Sequence, residues 1–434
     1  MKTEKLVQFL NQAVTSYHTV QEIEKRLQEE GYEEKKEVAK WELRKGKKYY
    51  VKRNESSIIA FSIGSKLDQW SFNIVSSHSD VPAFKLKPNC QISKDGAVQL
   101  NTEVYGGPLY STWFDRLLSV AGKVVVRDKK GLHSKLVCLK EPVGIIPNVA
   151  IHLNREANTG LKYNEQVDLL PFVSLNREFN FMDYFAKEIG VKAKDIIDSE
   201  LYLYPVDKAK VWGSENEFIS SYHLDDAQCA YATLEGFLKG KNKNTIGVYC
   251  CFDNEEVGSG TRQGAASTLL CDVLDRIQEA LKISDEQMMQ AKASSLMISA
   301  DNAHAYHPNH PEKLDPTNVC HLNKGVVVKY SAQKRYATDA VSAAIFKELC
   351  AAKKVDVQLV SNRSDVAGGS TLGPISTRTL SIPTIDIGLA QLAMHSAYET
   401  AGVHDTKMMI DVVEEFFNTQ LILDDEHFEM RKED

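Results

Sequence analysis

The chain contains several uninterrupted apolar runs that each end on an acidic residue or a histidine. Residues 247–253 (GVYCCFD) lead into Glu255 and Glu256, and residues 70–75 lead into His78. An apolar run without alternation is typical of a strand buried on both faces, as in the parallel sheets of α/β proteins. Ligands of such sheets bind outside the carboxyl ends of the strands. The chain is therefore expected to fold as an α/β protein whose polar strand ends meet in one crevice.

Glu255 and Glu256 place two adjacent carboxylates at the mouth of a predicted strand. Like charges this close do not both stay ionised in a low-dielectric cleft unless a positive charge lies beside them, so the pair suggests a bound metal. One glutamate would bind the metal, and the other would accept a proton from a water molecule that the metal activates. A glutamate pair by itself also fits a solvated surface.

The remaining polar strand ends strengthen the metal hypothesis. His78 precedes Asp80 by two residues, and in such a pair the imidazole binds zinc while the carboxylate fixes its tautomer or holds its neighbours. Taken alone, His78 also fits a structural core histidine. Four further segments have the same form: 223–226 (HLDD), 296–304 (LMISADNAH), 361–365 (SNRSD) and 385–395 (IDIGLAQLAMH). If these polar residues meet at one edge of the sheet, they supply the converging ligands that a two-metal site requires.

Composition excludes several classes of function. The 434 residues carry a net charge of −7, and no segment resembles the basic stripe with which proteins displace the counterions of nucleic acids. No run approaches the roughly 20 apolar residues of a membrane span, and the N-terminus lacks the apolar core of a secretory signal. The eight cysteines show no Cys-x-x-Cys spacing, as expected of reduced thiols. We therefore expect a cytoplasmic protein without nucleic-acid or membrane partners.

The chain exceeds the size of one typical core, so two domains are expected. Helix and strand patterns alternate near both ends of the chain, whereas its middle part consists of short apolar runs separated by turns. The sequence predicts a discontinuous catalytic domain, residues 1–88 and 211–434, interrupted by a β-rich insert, residues 89–210. In the catalytic domain we expect a mixed, mainly parallel sheet sandwiched by helices.

Local patterns predict individual elements. Thr19 and Glu22 form a capping box that would open a helix. Residues 49–61 alternate like a hairpin, and the turn at 128–131 would join two strands of the insert. A last helix is expected over residues 406–421.

Nine motifs occur in order along nearly the whole chain: 77–80 (SHSD), 113–116 (WFDR), 151–155 (IHLNR), 224–226 (LDD), 253–259 (DNEEVGS), 299–304 (SADNAH), 335–338 (RYAT), 369–374 (GSTLGP) and 394–396 (MHS). These motifs closely resemble those of the aspartyl aminopeptidases, a family of metallopeptidases with two zinc ions. The resemblance implies a zinc-peptidase-like catalytic domain that releases the N-terminal residue from peptides, with a leaning to Asp or Glu at that position.

The resemblance also implies roles for single residues. The implied metal ligands are His78 and Asp301 for one zinc, Glu256 and His395 for the other, and Asp225 as a bridge between them. Glu255 would be the general base, which takes a proton from the activated water and returns it to the leaving amine, and Asp80 would belong to the catalytic machinery beside His78. The mixed nitrogen and oxygen ligands suit zinc, and manganese or cobalt also fits them.

Two substrate contacts depend on the same resemblance. The family supplies a histidine from a neighbouring subunit to the tetrahedral oxyanion, and His152 matches it, although its apolar neighbours equally fit a solvent-facing strand residue. Lys329 matches a position that holds an acidic substrate side chain, although a lysine at a strand end also protects a sheet edge. The chain departs from the family pattern at 331–337 (SAQKRYA) and 396–399 (SAYE), both close to the expected substrate pocket.

The family assembles into dodecameric shells through its inserted domain. The insert of this chain contains potential edge strands, including residues 122–126, which a partner subunit would cover. We therefore expect a homo-oligomer, by resemblance a dodecamer, that acts on peptide substrates.

Other interpretations stay open at this level. The glycine-rich turn 258–264 imitates a dinucleotide-binding loop, but Glu255 and Glu256 would repel a pyrophosphate. An inactive shell that only assembles or binds partners would have lost a ligand or the base, and all of them are present. An aminopeptidase of neutral or basic specificity would use the same two-zinc site. The histidines between 304 and 310 have a loop-like spacing and are left out of the ligand set.

Overall fold

The structure is a computed structural model that describes residues 3–67, 70–423 and 426–432. Its helices are α1 Thr3–Gln12, α2 Ser16–Glu29, α3 Phe181–Glu188, α4 Leu224–Lys239, α5 Leu269–Leu281, α6 Asp285–Ala293, α7 Ala340–Lys353, α8 Leu372–Ser376 and α9 Val403–Phe417. Its strands are β1 Glu33–Glu34, β2 Lys48–Arg53, β3 Ser57–Ile63, β4 Phe72–His78, β5 Ala83–Lys94, β6 Ala97–Tyr105, β7 Leu117–Asp128, β8 Gly131–Cys138, β9 Gly144–Ile145, β10 Phe172–Ser174, β11 Ile196–Pro205, β12 Lys210–Trp212, β13 Phe218–Ser221, β14 Ile246–Phe252, β15 Leu296–Ala300, β16 Ala303–His304, β17 Val326–Tyr330, β18 Val357–Ser361, β19 Thr384–Gly388, β20 Ala390–Leu392, β21 Glu399–Gly402, β22 Thr419–Leu423 and β23 Phe428–Lys432.

The largest sheet has nine strands in the order β1-β2-β3-β14-β4-β15-β19-β17-β18. Its central strands, β14, β4, β15 and β19, are mutually parallel, and antiparallel pairs occur at β2–β3, β3–β14 and β17–β19. Every residue of the four central strands is buried. A strand covered on both faces needs apolar residues on both, which explains the uninterrupted runs. The expectation of a mixed, mainly parallel sheet is confirmed.

Helices cover both faces of this sheet. Along β14, Tyr249 and Cys251 pack into the core that includes α1, α2, α4, α7 and α9. Val248 and Cys250 instead pack into the core that includes α5, α6 and α8. Because neighbouring side chains of a strand point to opposite faces, one short run of sequence supplies both cores.

Residues 83–205 build a second sheet in the order β11-β5-β6-β10-β9-β7-β8, with all pairs antiparallel. Since β11 pairs with β7 as well as with β5, the sheet closes around a core of its own, which includes Phe84 and Trp113. β7 and β8 meet at the expected turn, with Asp128 opposite Gly131. The β-rich character of the insert is confirmed. Its bounds, 89–210, stay a prediction, and β5 already begins at Ala83.

A third sheet, β12-β13-β21-β20-β16, continues from the central one, because β16 follows β15 and β20 follows β19 after short links. β22 and β23 form a separate hairpin. In the described part of the chain, no helix has the length and apolar character of a membrane span.

Two helix ends differ from the sequence-based expectation. α2 already begins at Ser16, and the Thr19 hydroxyl donates to the carbonyl of Thr15 within the helix instead of capping it. α9 ends at Phe417, and the residues beyond it form β22, because they pair with β23. The predicted hairpin over 49–61 is present as β2 and β3.

Candidate active site

Four of the candidate residues lie at the carboxyl ends of adjacent parallel strands. His78 is the last residue of β4, Asp301 follows β15, and Glu255 and Glu256 follow β14 in one turn of 3-10 helix. β14, β4 and β15 are neighbours in the sheet, so their ends lie along one edge. This placement agrees with the crevice expected for an open α/β sheet.

Asp225 and His395 reach the same edge from the third sheet. Asp225 lies at the start of α4, shortly after β13, and His395 lies in the link from β20 to β21. β13 and β21 pair with Ser221 opposite Glu399, which brings the two links together. Their proximity therefore depends on a strand pairing between distant parts of the chain.

Glu399 holds both links, and sequence reasoning had not assigned it a role. Its Oε1 accepts a hydrogen bond from the His395 backbone N–H at 2.6 Å, and its Oε2 accepts one from the Asp225 N–H at 2.9 Å. The side chain is buried, and burial raises the pKa of Glu399 to about 8. The available signal was an acidic residue four positions after a ligand-type histidine.

The carboxylate of Asp225 lies between two imidazoles. Its Oδ1 is 3.4 Å from Nε2 of His78, and its Oδ2 is 3.6 Å from Nε2 of His395. Glu256 Oε2 is 3.4 Å from the same nitrogen of His395. Two clusters whose ligand atoms lie within 4.8 Å of one another thus share Asp225: one with His78 and Asp226, the other with Glu256 and His395. A shared carboxylate is the geometry that a pair of bridged metal ions requires.

Unpaired oxygens indicate that this site fits a cation. Asp225 Oδ1, Asp226 Oδ1 and Glu256 Oε1 are buried and have no hydrogen-bond partner. A buried carboxylate oxygen without a partner is costly, and a bound metal ion would satisfy it. The mixed donor set of carboxylates and imidazoles suits zinc.

Both imidazoles present the same nitrogen to the carboxylates. Nδ1 of His78 lies 3.2 Å from the backbone oxygen of Asp80, and Nδ1 of His395 lies 3.0 Å from that of Gly107. A carbonyl oxygen only accepts hydrogen bonds, so each Nδ1 carries a proton when the ring is neutral, and each Nε2 is then free to bind a metal.

Crowding shifts the acidity of these groups. Burial, together with the charges of Asp301 and Asp80, raises the pKa of Glu255 to about 8. Burial lowers the pKa of His395, but the facing carboxylates of Asp225 and Glu256 outweigh it and raise that pKa to about 10. The site thus holds protons that a bound metal ion would displace.

Asp80 accepts hydrogen bonds from the backbone of both Glu255 and Glu256. Its Oδ1 accepts the backbone N–H of Glu255 at 3.0 Å, and its Oδ2 accepts that of Glu256 at 3.1 Å. The Tyr105 hydroxyl donates to the same Oδ2 at 2.6 Å. Asp80 does not line the cavity into which the site opens, whereas Glu255 does. These are the contacts of a residue that positions its neighbours.

The two predicted substrate contacts lie in different places. Lys329, in β17, is 3% exposed and lines the cavity, where its Nζ donates to Asp301 Oδ1 at 3.1 Å. The predicted clamp therefore contacts a predicted zinc ligand. His152 does not line the cavity. It lies in an exposed turn at 151–153, so its interpretation as a solvent-facing strand residue is wrong.

The site opens into a cavity of about 540 Å³, within the roughly 300–1,000 Å³ that is usual for ligand pockets. Glu255, Glu256 and His395 line it together with His304, which sequence reasoning had left out, and Arg363. Arg363 forms two hydrogen bonds with the carboxylate of Asp365, so its charge is already paired.

Known proteins share both the sequence and the fold. The chain matches the family model of the aminopeptidase I zinc metalloproteases (M18) over residues 9–417. A probable M18 family aminopeptidase 2 of Clostridium novyi is 46% identical over 423 residues, which are 95% of this chain and 98% of that protein. A chain in the Ape4 and Nbr1 complex is 33% identical with a TM-score of 0.92, covering 96% of this chain and 85% of that one. The S. cerevisiae mApe1 dodecamer is 27% identical with a TM-score of 0.83 and 96% coverage of both chains.

These matches extend over nearly the whole chain and confirm the resemblance seen in the motifs. The chain therefore belongs to the M18 aminopeptidases, a family of zinc metalloproteases, and is a metallo-aminopeptidase.

Proposed function

We propose that the chain uses two zinc ions per subunit to remove N-terminal residues from peptides. His78 and Asp301 would bind one zinc, Glu256 and His395 the other, and Asp225 both. The observation that carries this proposal is the carboxylate of Asp225, whose two oxygens face two different imidazoles at 3.4 and 3.6 Å. Manganese or cobalt would fit the same ligands.

The reaction would proceed through Glu255. Bound zinc ions would supply Lewis-acid activation of a water molecule and of the scissile carbonyl. Glu255 takes a proton from the water molecule while the water oxygen attacks the carbonyl carbon. Glu255 then gives this proton to the nitrogen of the leaving peptide as the C–N bond breaks. Asp80 keeps Glu255 in place through the backbone N–H that it accepts.

A preference for Asp or Glu at the substrate's N-terminus is the second part of the proposal. Lys329 supports it, because a buried ammonium on the cavity wall would attract a carboxylate. Its pairing with Asp301 favours the rival interpretation, a neutral or basic specificity, since that carboxylate already balances its charge.

The third part concerns assembly. We propose a homo-oligomer, a dodecamer like that of the S. cerevisiae relative, held together by the insert of residues 89–210. His152 would then act on the substrate of a neighbouring subunit. Its exposure, and that of Val149 (55%) and Leu153 (83%) beside it, supports a contact with another subunit.

The test is release of the N-terminal residue from acidic, neutral and basic aminoacyl substrates. The reaction is run with and without chelator, and with zinc, manganese or cobalt restored. Chelator-sensitive release, fastest from acidic substrates and with two zinc ions per chain, is the expected result. A faster reaction on neutral or basic substrates would contradict the acidic preference. No release with two metals bound would favour an inactive shell.

A further inference from the structure

One short connection of the second sheet lies against the active site, directly after Tyr105, whose hydroxyl contacts Asp80. Residues 106–112, here named the β6–β7 segment, lead from β6 to β7. The segment is followed by Trp113, whose buried ring packs edge-on against Phe84 of the second sheet and against Tyr222, shortly before α4. The segment is therefore anchored where the insert meets the site.

Three hydrogen bonds join this segment to the link that carries His395. Nδ1 of His395 donates to the Gly107 carbonyl at 3.0 Å. The Leu109 N–H donates to the His395 carbonyl at 2.9 Å, and the Ala397 N–H donates to Oγ1 of Thr112 at 2.9 Å. The first bond selects the tautomer of His395, and the other two hold its backbone.

Gly106 brings the same segment against Glu256. Its φ of +70° is in the left-handed region, and a Cβ added there would lie 3.1 Å from Cβ of Glu256 and 3.4 Å from Pro82. Glycine is therefore favoured at this position for two reasons, the backbone conformation and the close approach to Glu256.

The other half of the site is held differently. Nδ1 of His78 contacts the backbone oxygen of Asp80 at 3.2 Å and its Oδ1 at 3.4 Å, only two residues along the chain. Asp301 contacts Lys329 of the central sheet. The contacts of the β6–β7 segment described above reach Glu256 and His395 but neither His78 nor Asp301. Asp80 is a support that both halves share, because it contacts His78 and also accepts the Glu256 N–H.

We propose that the β6–β7 segment is a positioning element for one metal site only, the site of Glu256 and His395. This inference rests on the proposed two-zinc function and deepens it. The segment would thereby control how tightly the second zinc is held, and a change within the segment would leave the site of His78 and Asp301 intact.

The first test compares two glycine variants at buffered free zinc. Gly106→Ala introduces a methyl group against Glu256. Gly190→Ala is the matched control, because Gly190 also lies in the insert with a φ of +71°, but nothing lies within 4 Å of its added Cβ. We expect Gly106→Ala to weaken zinc binding at one of the two sites by about tenfold or more, the usual loss when a ligand's support is removed. Gly190→Ala should bind two zinc ions as the wild type does.

The second test uses Thr112. Thr112→Val removes the acceptor for the Ala397 N–H and should weaken one zinc, whereas Thr112→Ser keeps the hydroxyl and should restore binding. The inference is overturned if Gly106→Ala keeps both zinc affinities or loses both equally, or if the valine and serine variants behave alike.

A crystal structure of metal-free Gly106→Ala separates this inference from the proposed function. A wild-type chain that binds only one zinc would contradict the two-zinc proposal. The inference would still be decided by the structure, because it predicts loss of the His395–Gly107 hydrogen bond with His78 unmoved. The inference is refuted if the variant keeps the His395–Gly107 hydrogen bond and Glu256 does not move.

Discussion

Replacing Asp80 by Asn tests whether this carboxylate positions the catalytic turn. Asp80 accepts the N–H groups of Glu255 and Glu256 on different oxygens, and the Tyr105 hydroxyl as well. An asparagine keeps one oxygen and turns an NH2 group towards the other donors, so at least one N–H loses its charged acceptor and faces a donor instead. Hydrogen bonds to charged groups contribute roughly 1.5–3 kcal/mol each. A net loss of about 3 kcal/mol in the positioning of Glu255 corresponds to roughly a hundredfold lower kcat.

The assay is steady-state peptide hydrolysis with the zinc content of each sample measured. Tyr105→Phe is the matched control, because it removes one neutral donor from the same oxygen and leaves the carboxylate. A loss at the low end of that range, about 1.5 kcal/mol, predicts only about a tenfold decrease for it. Asp80→Asn with full zinc and nearly normal kcat, or with the same modest loss as Tyr105→Phe, would refute the positioning role.

Three further predictions concern catalysis, specificity and stability. Glu255→Gln should keep both zinc ions and lower turnover by about a hundredfold or more, the scale of losing a general base; kcat and bound zinc check it, and normal turnover contradicts it. Lys329→Met should slow acidic substrates more than neutral ones, and an equal loss on both would mean that Lys329 serves Asp301 and not the substrate. His18 is buried, which lowers its pKa from 6.5 to about 4. As the pH falls from 6.5 towards 4, His18 takes up a proton in the unfolded chain but not in the folded chain. This difference should make the free energy of unfolding about 2 kcal/mol lower at pH 5 than at pH 7. Denaturation of the metal-free chain at pH 7 and 5 checks this, and His18→Gln should show a smaller pH dependence.

The strand ends of the site could be found from the sequence, and the links could not be placed. His78, Glu255, Glu256 and Asp301 each follow an uninterrupted apolar run, and such runs mark buried parallel strands whose carboxyl ends share one edge. Asp225 belongs to none of these strands. Its distance from the imidazoles depends on the pairing of β13 with β21, which are far apart in the chain.

Two contacts of the site could not be predicted from the pattern of side chains along the sequence. The Gly107 carbonyl that selects the tautomer of His395 would be the same chemical group in any other residue. Likewise, the pairing of Lys329 with Asp301 joins the ends of two strands separated by β19 in the sheet. Neither contact follows from spacing along the chain.

The bounds of two helices show that tertiary packing and strand pairing can override local sequence signals. Thr19 and Glu22 form a valid capping pattern, but Thr19 is 1% exposed and lies within α2, because the apolar residues around it pack into the core. The last helix ends four residues before its predicted end, at Phe417, because β23, further along the chain, pairs with residues 419–421.

The sequence by itself determined the α/β class, the β-rich insert and the chemical character of the site, because these depend on runs and periods of apolar residues and on the kinds of side chain at their ends. Only the tertiary structure decided which side chains meet. The bridge of Asp225 between two imidazoles, the hold of Glu399 on both links, and the approach of the β6–β7 segment to Glu256 and His395 each join elements distant in the chain. Their geometry depends on strand pairing and packing, which local patterns do not encode.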